Sequence, residues 1–318
     1  MNKKILIVAG GTGGHIVPAI VFGRGLEKEN SEVKWLCGSR ELEKVIYNAL
    51  GIQPLLLSIS GSPFGTRSIK IILGRLIDLI KSFFQTRKYI KDFNPEKIYL
   101  FGGYVSFAPL LIAKLKKIPV TLHEQNAVAG KVTKIALKWG AEIITGWPEC
   151  EGINNFRYVG IPVREPVKIS RKDALKTLGL DIPENSKIIG IAGGSLVSGP
   201  LNDLLMKTAE ICKDFEFVFL SHEKKNIENK HFIPLQWDMN PFYSICDVAV
   251  CRAGGSTLAE ILKWDLAAVS IPWPEAADNH QVKNAAEFVK LSKKSKVFFE
   301  GDSPENLACL IKNLLNSR

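Results

Sequence analysis

The chain has 318 residues, of which 46% are hydrophobic and 23% are charged. This composition is typical of a folded globular protein and excludes a disordered or collagen-like chain. The length suits two domains better than one. Lys and Arg outnumber Asp and Glu by 42 to 32, and the net charge of +10 indicates an anionic partner: nucleic acid, a phosphorylated substrate or an acidic lipid surface.

Several classes of protein are not expected. The six cysteines are scattered, without a Cys-x-x-Cys pair or a nearby histidine cluster, which argues against a zinc site or a disulfide framework. The apolar run after the amino-terminal lysines, residues 5–8, is too short for a signal peptide. The longest uncharged stretch, residues 98–113, is interrupted by glycine and proline and is too short to span a bilayer. We therefore expect a soluble, cytoplasmic protein without a cofactor.

Short β-branched runs alternate with helical patterns along the whole chain. The first half contains predicted strands at Lys4–Val8, Val33–Cys37, Pro54–Ile59, Lys97–Phe101, Val120–His123 and Glu142–Thr145. Helical patterns between them cover Val17–Lys28, Glu41–Leu50 and Val105–Lys116. The second half contains predicted strands at Lys187–Ala192, Phe215–Leu220, Asp247–Cys251, Ala267–Ile271 and Val297–Phe299. This alternation predicts an α/β protein with parallel, doubly wound sheets.

The chain also contains a short internal sequence similarity. Residues 5–12, a buried strand followed by Gly-Gly-Thr, are matched by residues 188–195, which end in Gly-Gly-Ser. This similarity predicts two Rossmann-like domains, residues 1–160 and 161–318, facing each other across a cleft. The segment 160–166 is rich in proline and charge and suits the linker, while the last helix, Glu305–Leu315, could pack on either domain.

Five glycine-rich or polar clusters follow predicted strands, at residues 10–15, 101–106, 123–126, 193–195 and 252–260. Each cluster alone would be explained as a turn, but packing does not require glycine and polar side chains at one end of two sheets. We interpret the clusters as a ligand site at the carboxyl ends of the strands. A dehydrogenase is a weak alternative, because Ile16 replaces the third glycine of the dinucleotide motif and no acidic residue ends the second strand.

The last of these clusters is the most informative. Gly254-Gly255-Ser256-Thr257 is predicted to open a helix, where backbone amides and hydroxyls would hold a diphosphate. Glu260 would then lie one turn into the helix, within reach of a ribose diol. The simpler alternative is that Ser256 or Thr257 merely caps the helix. Further along, Gln281 and Asn284 could hydrogen-bond sugar hydroxyls.

Taken in order, the motifs at Gly10–His15, Gly102–Ser106, His123–Asn126, Arg252–Glu260 and Asp278–Gln281 resemble those of glycosyltransferase family 28, the bacterial peptidoglycan N-acetylglucosaminyltransferases. The likeness runs from about residue 3 to residue 290. It implies a GT-B fold and an inverting transfer of N-acetylglucosamine from UDP-N-acetylglucosamine to the muramyl 4-hydroxyl of lipid I, which gives lipid II. It further implies a peripheral protein at the cytoplasmic face of the cell membrane. No Asp-x-Asp motif occurs in the chain, so we expect no bound metal.

The resemblance also implies residue roles. His15 would deprotonate the acceptor hydroxyl, although a role in positioning the donor stays open, and Glu260 is the second residue assigned to catalysis. Gln236 would meet the uracil. The substrate contacts fall on Thr12, Gly13, Gly14, Asn126, Arg164, Ser195, Gln236, Gly255, Ser256, Thr257, Leu258, Ala259, Glu260 and Gln281.

Two positions depart from the family pattern. Relatives usually read Gly-Gly-Ser-Gln-Gly in the second-domain loop, where this chain has Leu196 and Val197 after Ser195. Thr133 stands where relatives have an asparagine. Neither change removes His15, Glu260 or Gln281, so activity is still expected.

Residues 67–91 carry seven basic residues and one acidic residue. Apolar positions nearly fill one side of a helix at Ile69, Ile71, Ile72, Leu76, Leu79, Ile80, Phe83 and Phe84. We interpret this segment as a surface for an anionic membrane, with an ordinary core-facing helix as the alternative. No nucleic-acid-binding signature occurs, and no nucleic acid partner is expected.

Three other functions remain open alternatives. They are another lipid glycosyltransferase that uses the same donor, a UDP-N-acetylglucosamine epimerase or hydrolase, and a non-catalytic sensor of nucleotide sugars.

Overall fold

The computed structural model describes residues 2–61, 68–192, 199–221 and 225–316. The polypeptide divides into two compact units, Met1–Val163 and Arg164–Arg318. Each unit has its own hydrophobic core, built on a parallel sheet. The boundary between the units falls within the proline-rich segment 160–166.

The first unit alternates strands and helices. Its strands are β1 (Lys4–Val8), β2 (Glu32–Cys37), β3 (Leu55–Leu56), β4 (Lys97–Leu100), β5 (Val120–Glu124), β6 (Glu142–Thr145) and β7 (Arg157–Tyr158). Its helices are α1 (Gly13–Lys28), α2 (Glu41–Ala49), α3 (Ile69–Phe93), α4 (Phe107–Lys116) and α5 (Lys131–Lys138), with a 3-10 turn at Tyr104–Ser106. The strands pair in the order β3-β2-β1-β4-β5-β6-β7, and every neighbouring pair is parallel.

The second unit repeats this plan. Its strands are β8 (Lys187–Ala192), β9 (Phe215–Ser221), β10 (Lys225–Ile227), β11 (Lys230–Pro234), β12 (Val248–Arg252), β13 (Ala267–Ile271) and β14 (Ser295–Val297). Its helices are α6 (Arg171–Leu178), α7 (Gly199–Ile211), α8 (Asn240–Ile245), α9 (Gly255–Lys263), α10 (His280–Leu291) and α11 (Pro304–Asn316), with a 3-10 turn at Ala277–Asn279. The order is β10-β11-β9-β8-β12-β13-β14, and β10 joins the edge antiparallel to β11.

Both sheets change their direction of winding once. In the first unit the change lies between β1 and β4, and in the second it lies between β8 and β12. Open parallel sheets bind ligands outside the carboxyl ends of the strands at such a switch point. The glycine clusters at residues 10–14, 102–103 and 254–255 directly follow β1, β4 and β12, so the topology brings them to the switch points.

Burial explains why these segments form strands. All five residues of β12 and all five of β13 are buried, which is typical of parallel strands covered by helices on both faces. The buried residues of helix α11 recur on one face, and this apolar face packs against the core of the second unit. Leu307, Ile311 and Leu314 of this helix belong to the same cluster as Val250 and Val269, so the last helix packs on the second unit.

The predicted α/β class with two doubly wound parallel sheets is confirmed. Several boundaries differ from the prediction. The predicted strand Pro54–Ile59 shrinks to Leu55–Leu56, since it lies at the sheet edge and only these residues pair with β2. Helix α1 begins at Gly13 rather than Val17, because the glycine loop itself forms the first turn. The short edge strands β7 and β10 were not predicted, and neither was β11.

Candidate active site

The first glycine loop joins β1 to α1. Thr12 is the N-cap residue, and its carbonyl accepts hydrogen bonds from the amides of His15 and Ile16 at 3.1 and 3.2 Å. Gly13, Gly14 and His15 therefore form the first turn of α1. Gly11 has a φ of 95°, which side chains disfavour, so this turn requires glycine at that position. The predicted residues of this motif thus lie together at a helix N-terminus.

A buried carboxylate, that of Glu43, is hydrogen-bonded to this glycine loop. Glu43 of α2 is fully buried, and its Oε1 accepts a hydrogen bond from the Gly11 amide at 2.7 Å and another from the Tyr104 hydroxyl. Burial, together with this hydrogen bond, raises the pKa of Tyr104, so the phenol stays protonated and donates. Glu43 was not predicted as a site residue, although it shares the buried face of α2 with Ile46 and Tyr47 at helical spacing.

The His15 ring lies among glycines and a buried amide. Its Nδ1 is 2.7 Å from Oε1 of Gln125, which is 2% exposed. Gly102 and Gly103 both have a φ of 75°, and a Cβ on Gly102 would lie 3.4 Å from Cε1 of His15. The second glycine cluster therefore allows the backbone after β4 to approach the imidazole closely. Gln125 belongs to the predicted His-Glu-Gln-Asn motif, but no role was assigned to it from the sequence.

Glu124 organises the loop that carries Asn126. Its Oε1 accepts from the Asn126 amide at 3.0 Å, and its Oε2 accepts from the Gly130 amide at 3.0 Å and from the Thr133 hydroxyl at 2.6 Å. Thr133, one of the two positions expected from the sequence to depart from the family pattern, thus donates to the buried carboxylate. The departure at this position keeps a hydrogen-bond donor in the loop.

The second unit presents the N-terminus of α9 at the end of β12. Gly254 is the N-cap residue, and the Leu258 amide makes a helical bond to its carbonyl at 3.0 Å. Gly255 is buried, while Ser256, Thr257 and Ala259 are half-buried. The side chain of Leu258 is fully buried in the unit, so this predicted contact residue anchors the helix in the core.

Glu260 lies one turn further along α9. Tyr243 donates a hydrogen bond to its Oε2 at 3.0 Å. Burial raises the pKa of Glu260, while the Tyr243 hydrogen bond and the positive charge of Arg164 act in the opposite direction. Arg164 itself donates to the Trp237 carbonyl, and Gln236, next to Trp237, donates from Nε2 to Pro234 O at 2.6 Å. Arg164 therefore bonds to the segment predicted to meet the uracil, and its positive charge acts on Glu260 of α9.

The last motif begins helix α10. Asp278 and Asn279 have φ values of 52° and 54°, an uncommon pair of left-handed non-glycine residues just before the helix. Gln281 accepts a hydrogen bond at Oε1 from the Trp273 amide at 2.9 Å. Asn284 is fully buried and donates to the Ala253 carbonyl at 3.1 Å. The Asn284 amide therefore supports the loop before α9, and its contact with sugar hydroxyls stays a prediction.

An ion pair fixes the end of β12. Arg252 donates from Nη2 to Glu300 Oε1 at 2.7 Å, and both side chains are largely buried. The predicted contact Ser195, with Leu196 and Val197, lies outside the described residues. Within the described ranges, His, Cys, Asp and Glu side chains form no group of three that could hold a metal ion.

Helix α3 is exposed over its first half. From Ile69 to Lys81 none of its residues is buried, whereas Ser82, Thr86, Ile90 and Phe93 in the second half are. We call the exposed apolar set the α3 surface; it comprises Ile69, Ile71, Leu73, Leu76, Ile77, Ile80 and Phe84. The core-facing alternative thus applies only to the second half. Among the described residues, no helix has both the length and the apolar character that crossing a membrane would demand.

Comparison with known proteins gives matches over most of the chain. Residues 5–145 match the glycosyltransferase family 28 N-terminal domain, and residues 188–318 match its C-terminal domain. Two curated relatives, from Pseudomonas fluorescens and Elusimicrobium minutum, are 31% and 32% identical. The matches cover 90% and 95% of this chain and 82% and 86% of the relatives. Both are named UDP-N-acetylglucosamine–N-acetylmuramyl-(pentapeptide) pyrophosphoryl-undecaprenol N-acetylglucosamine transferase.

A solved structure agrees with these relatives. The crystal structure of Acinetobacter baumannii MurG has a TM-score of 0.73 and 26% sequence identity, and the match covers 99% of this chain and 91% of that one. Two Rossmann-like sheets with these strand orders are the architecture of the GT-B fold. The fold implied by the sequence resemblance is therefore confirmed.

Proposed function

Because the chain belongs to glycosyltransferase family 28, we propose that it transfers N-acetylglucosamine from UDP-N-acetylglucosamine to lipid I. Lipid I is an undecaprenyl-diphosphate-linked muramyl peptide, and glycosylation of its muramyl 4-hydroxyl gives lipid II for peptidoglycan. The observation that carries the proposal is the match, over nine-tenths of the chain, to transferases of that name. The first unit would serve the acceptor and the second would bind the UDP of the donor.

The geometry of the second unit supports a donor site. A helix N-terminus favours an anion, so the first turn of α9, with Ser256 and Thr257, would hold the diphosphate and stabilise the UDP that leaves. Glu260 would accept hydrogen bonds from the ribose hydroxyls, and Gln281 would contact the sugar. Since these groups stabilise the leaving group and the chain lacks Asp-x-Asp, we propose a metal-independent transfer.

The first unit would supply the base. His15 Nε2 would take the proton of the muramyl 4-hydroxyl while the oxygen forms its bond to the anomeric carbon. On the opposite face, the bond from that carbon to the diphosphate oxygen breaks, and UDP leaves with the electron pair. Attack opposite the leaving group inverts the anomeric centre. Thr12, Gly13, Gly14 and Asn126 would line the reacting sugar.

The test is UDP release from UDP-N-acetylglucosamine in EDTA, with and without a water-soluble lipid I analogue. We expect release only with the acceptor and loss of about 100-fold or more in kcat for His15→Ala. Glu260→Ala should abolish donor turnover, whereas Glu184→Ala, at an exposed position, should not change it. Donor turnover without acceptor would instead indicate an epimerase or hydrolase. Dependence on added Mg²⁺ would contradict the metal-independent step.

We also propose that the α3 surface binds the anionic cytoplasmic face of the membrane, where lipid I resides. The support is the coincidence of exposed apolar side chains with basic ones on the same helix, namely Lys70, Arg75, Lys81, Arg87, Lys88 and Lys91. Apolar side chains insert at the headgroup boundary, and lysine and arginine are attracted to anionic lipids.

Vesicle flotation tests this surface. The protein should float with phosphatidylglycerol vesicles but not with phosphatidylcholine vesicles, and added salt should weaken the binding. Ile80→Ser with Phe84→Ser should lower the affinity by at least about 10-fold, because each loses apolar area that would enter the lipid. Phe299→Ser is the matched control, since Phe299 is 52% exposed and Phe84 is 60% exposed. Equal losses of vesicle affinity in both variants would contradict the proposal that the α3 surface binds the membrane.

A further inference from the structure

A chain of hydrogen bonds links His15 to the interior of the first unit. His15 Nδ1 lies 2.7 Å from Gln125 Oε1. Gln125 Nε2 lies 3.1 Å from Nδ1 of His123, and His123 Nε2 lies 2.8 Å from the Gly160 carbonyl oxygen. Gln125 and His123 are 2% and 1% exposed. Gln125 and His123 are therefore shielded from water, and each of their donors must meet an acceptor in the protein.

Two backbone carbonyls determine which group donates and which accepts in each of these hydrogen bonds. A carbonyl oxygen only accepts hydrogen bonds. Gln125 Nε2 lies 2.8 Å from the His123 carbonyl, so this end of the side chain is the NH₂ group. His123 Nε2 likewise must carry a proton, since it faces the Gly160 carbonyl.

His123 is neutral at physiological pH. Burial lowers its pKa to about 4, and the ring stacks on Phe101 with the centroids 5.4 Å apart. A neutral imidazole with its proton on Nε2 has a lone pair on Nδ1, which accepts the second N–H of Gln125. Both protons of the Gln125 amide are thus used on His123, and the amide cannot rotate without losing both bonds.

The remaining bond follows from this orientation. The Oε1 atom of Gln125 faces His15 and can only accept, so His15 must donate from Nδ1. The lone pair of the neutral His15 ring is then on Nε2. No residue in the described part of the chain hydrogen-bonds to this atom.

We propose that Gln125 is a positioning residue that holds His15 in the Nδ1–H tautomer, so that Nε2 faces the reaction as the proton acceptor. The inference rests on the proposed function, in which His15 is the base. The amide also accepts from Nδ1–H after Nε2 has taken the proton, so the ring keeps one orientation in both protonation states. His123 acts one step further away, because it fixes the rotamer of Gln125.

The first experiment needs no variant at the positioning residue. The ¹⁵N chemical shifts of the His15 ring in ¹⁵N-labelled protein, recorded at a pH where the ring is neutral, report which nitrogen carries the proton, and a His15→Asn spectrum assigns the resonances. We expect a protonated Nδ1 and an unprotonated Nε2. The opposite tautomer, or a rapid exchange between both, would overturn the proposal.

The second experiment measures kinetic coupling. Gln125→Met keeps the length of the side chain but removes both hydrogen-bonding groups, and it should lower kcat by about 10-fold or more. The KM for UDP-N-acetylglucosamine should change by less than about twofold, because the nucleotide contacts lie elsewhere. Gln85→Met is the matched control: Gln85 bonds Ser58 in the same unit at 2.8 and 2.9 Å, and its loss should leave kcat unchanged.

The double variant distinguishes positioning from a structural role. In a His15→Ala background, Gln125→Met should cost little further activity, since the group it positions is gone. An equal loss in both backgrounds would make Gln125 merely structural and would overturn the proposal. If the native protein transfers nothing to the lipid I analogue, the proposed function fails, while the ¹⁵N spectrum still decides which tautomer Gln125 imposes.

Discussion

Glu260 combines a cost in stability with its proposed role in binding the ribose. Burial raises the pKa of its carboxyl from the ordinary 4.5, so the folded protein binds the proton more tightly than the unfolded chain does. The ionised side chain therefore destabilises the fold as the pH rises from 4.5 through the raised value, and the cost is constant above it. Residues of this kind are common at functional sites, where stability is given up for activity.

Replacing Glu260 with Gln should separate these two effects. The amide oxygen can still accept from Tyr243, but no charge is buried, so the variant should be more stable than the native protein at neutral pH and lose this advantage near pH 4. The kcat/KM should fall by about 10- to 100-fold, since a charged acceptor for the ribose is lost. Urea midpoints at both pH values and initial rates measure this. A variant that is less stable at neutral pH would contradict the assigned cost of burial.

The hydrogen bond from Thr133 to Glu124 should contribute to stability. Thr133→Val preserves the shape but removes the hydroxyl that donates to Glu124, leaving a buried carboxylate oxygen with one donor fewer at a cost of about 1–3 kcal/mol. Thr208→Val is the matched control, because its hydroxyl bonds the Leu204 carbonyl within a helix and its loss should cost about 0.5 kcal/mol. Urea unfolding measures both. Equal costs would mean that Glu124 does not depend on Thr133.

Long-range contacts between side chains could not be predicted from the sequence. The Asn126 motif and the Gly254–Glu260 motif are continuous in the chain, and their glycines and polar residues identify them. Gln125 and Glu43 gain their roles from partners 110 and 32 positions away, to which they bond only after the sheet has formed. A motif therefore predicts which segment lies at the site but not which of its side chains faces the ligand and which faces its neighbours.

At the scale of elements, most strands were predictable, whereas the short edge strands β7 and β10, and β11 next to β10, were not. β1, β8, β12 and β13 are apolar, β-branched runs because helices cover both faces of the sheet. β7 and β10 have two and three residues and carry charged side chains, so the pattern does not distinguish them from loops. Their existence depends on pairing with a neighbour that is already in place.

The position of α9 should depend on the ion pair behind it. Arg252 and Glu300 have side-chain exposures of 8% and 14%, so Glu300→Gln would remove the negative charge that compensates the buried guanidinium and cost about 3–5 kcal/mol. Asp265→Asn is the control, since it removes a pair with Lys294 whose side chains are 77% and 53% exposed and should cost less than about 1 kcal/mol. Urea unfolding with UDP binding measures both. A small cost at Glu300 would show that the β12 end is held by other contacts.

At the scale of the whole molecule, the proposed function assigns different tasks to two units that each have their own core. The residues proposed to meet the uracil, the ribose and the diphosphate, namely Gln236, Glu260, Ser256 and Thr257, all belong to the unit that begins at Arg164, whereas His15 belongs to the other. A ligand stabilises the part of a protein that forms its site. The division therefore predicts that the nucleotide alone, without the sugar, stabilises one unit more than the other.

Hydrogen exchange with UDP tests this division. At a UDP concentration about 100 times Kd, binding stabilises the unit that holds the nucleotide by about 2.7 kcal/mol, which should slow exchange of amides that open with that unit by about 100-fold. We expect this protection in β8, β12 and β13, and little change in β1, β4 and β5. Glu260→Ala should weaken the protection at the same UDP concentration because it raises Kd. Equal protection in both sets of strands would mean that the first unit also holds the nucleotide, and the proposed assignment of the UDP contacts to the second unit would be wrong.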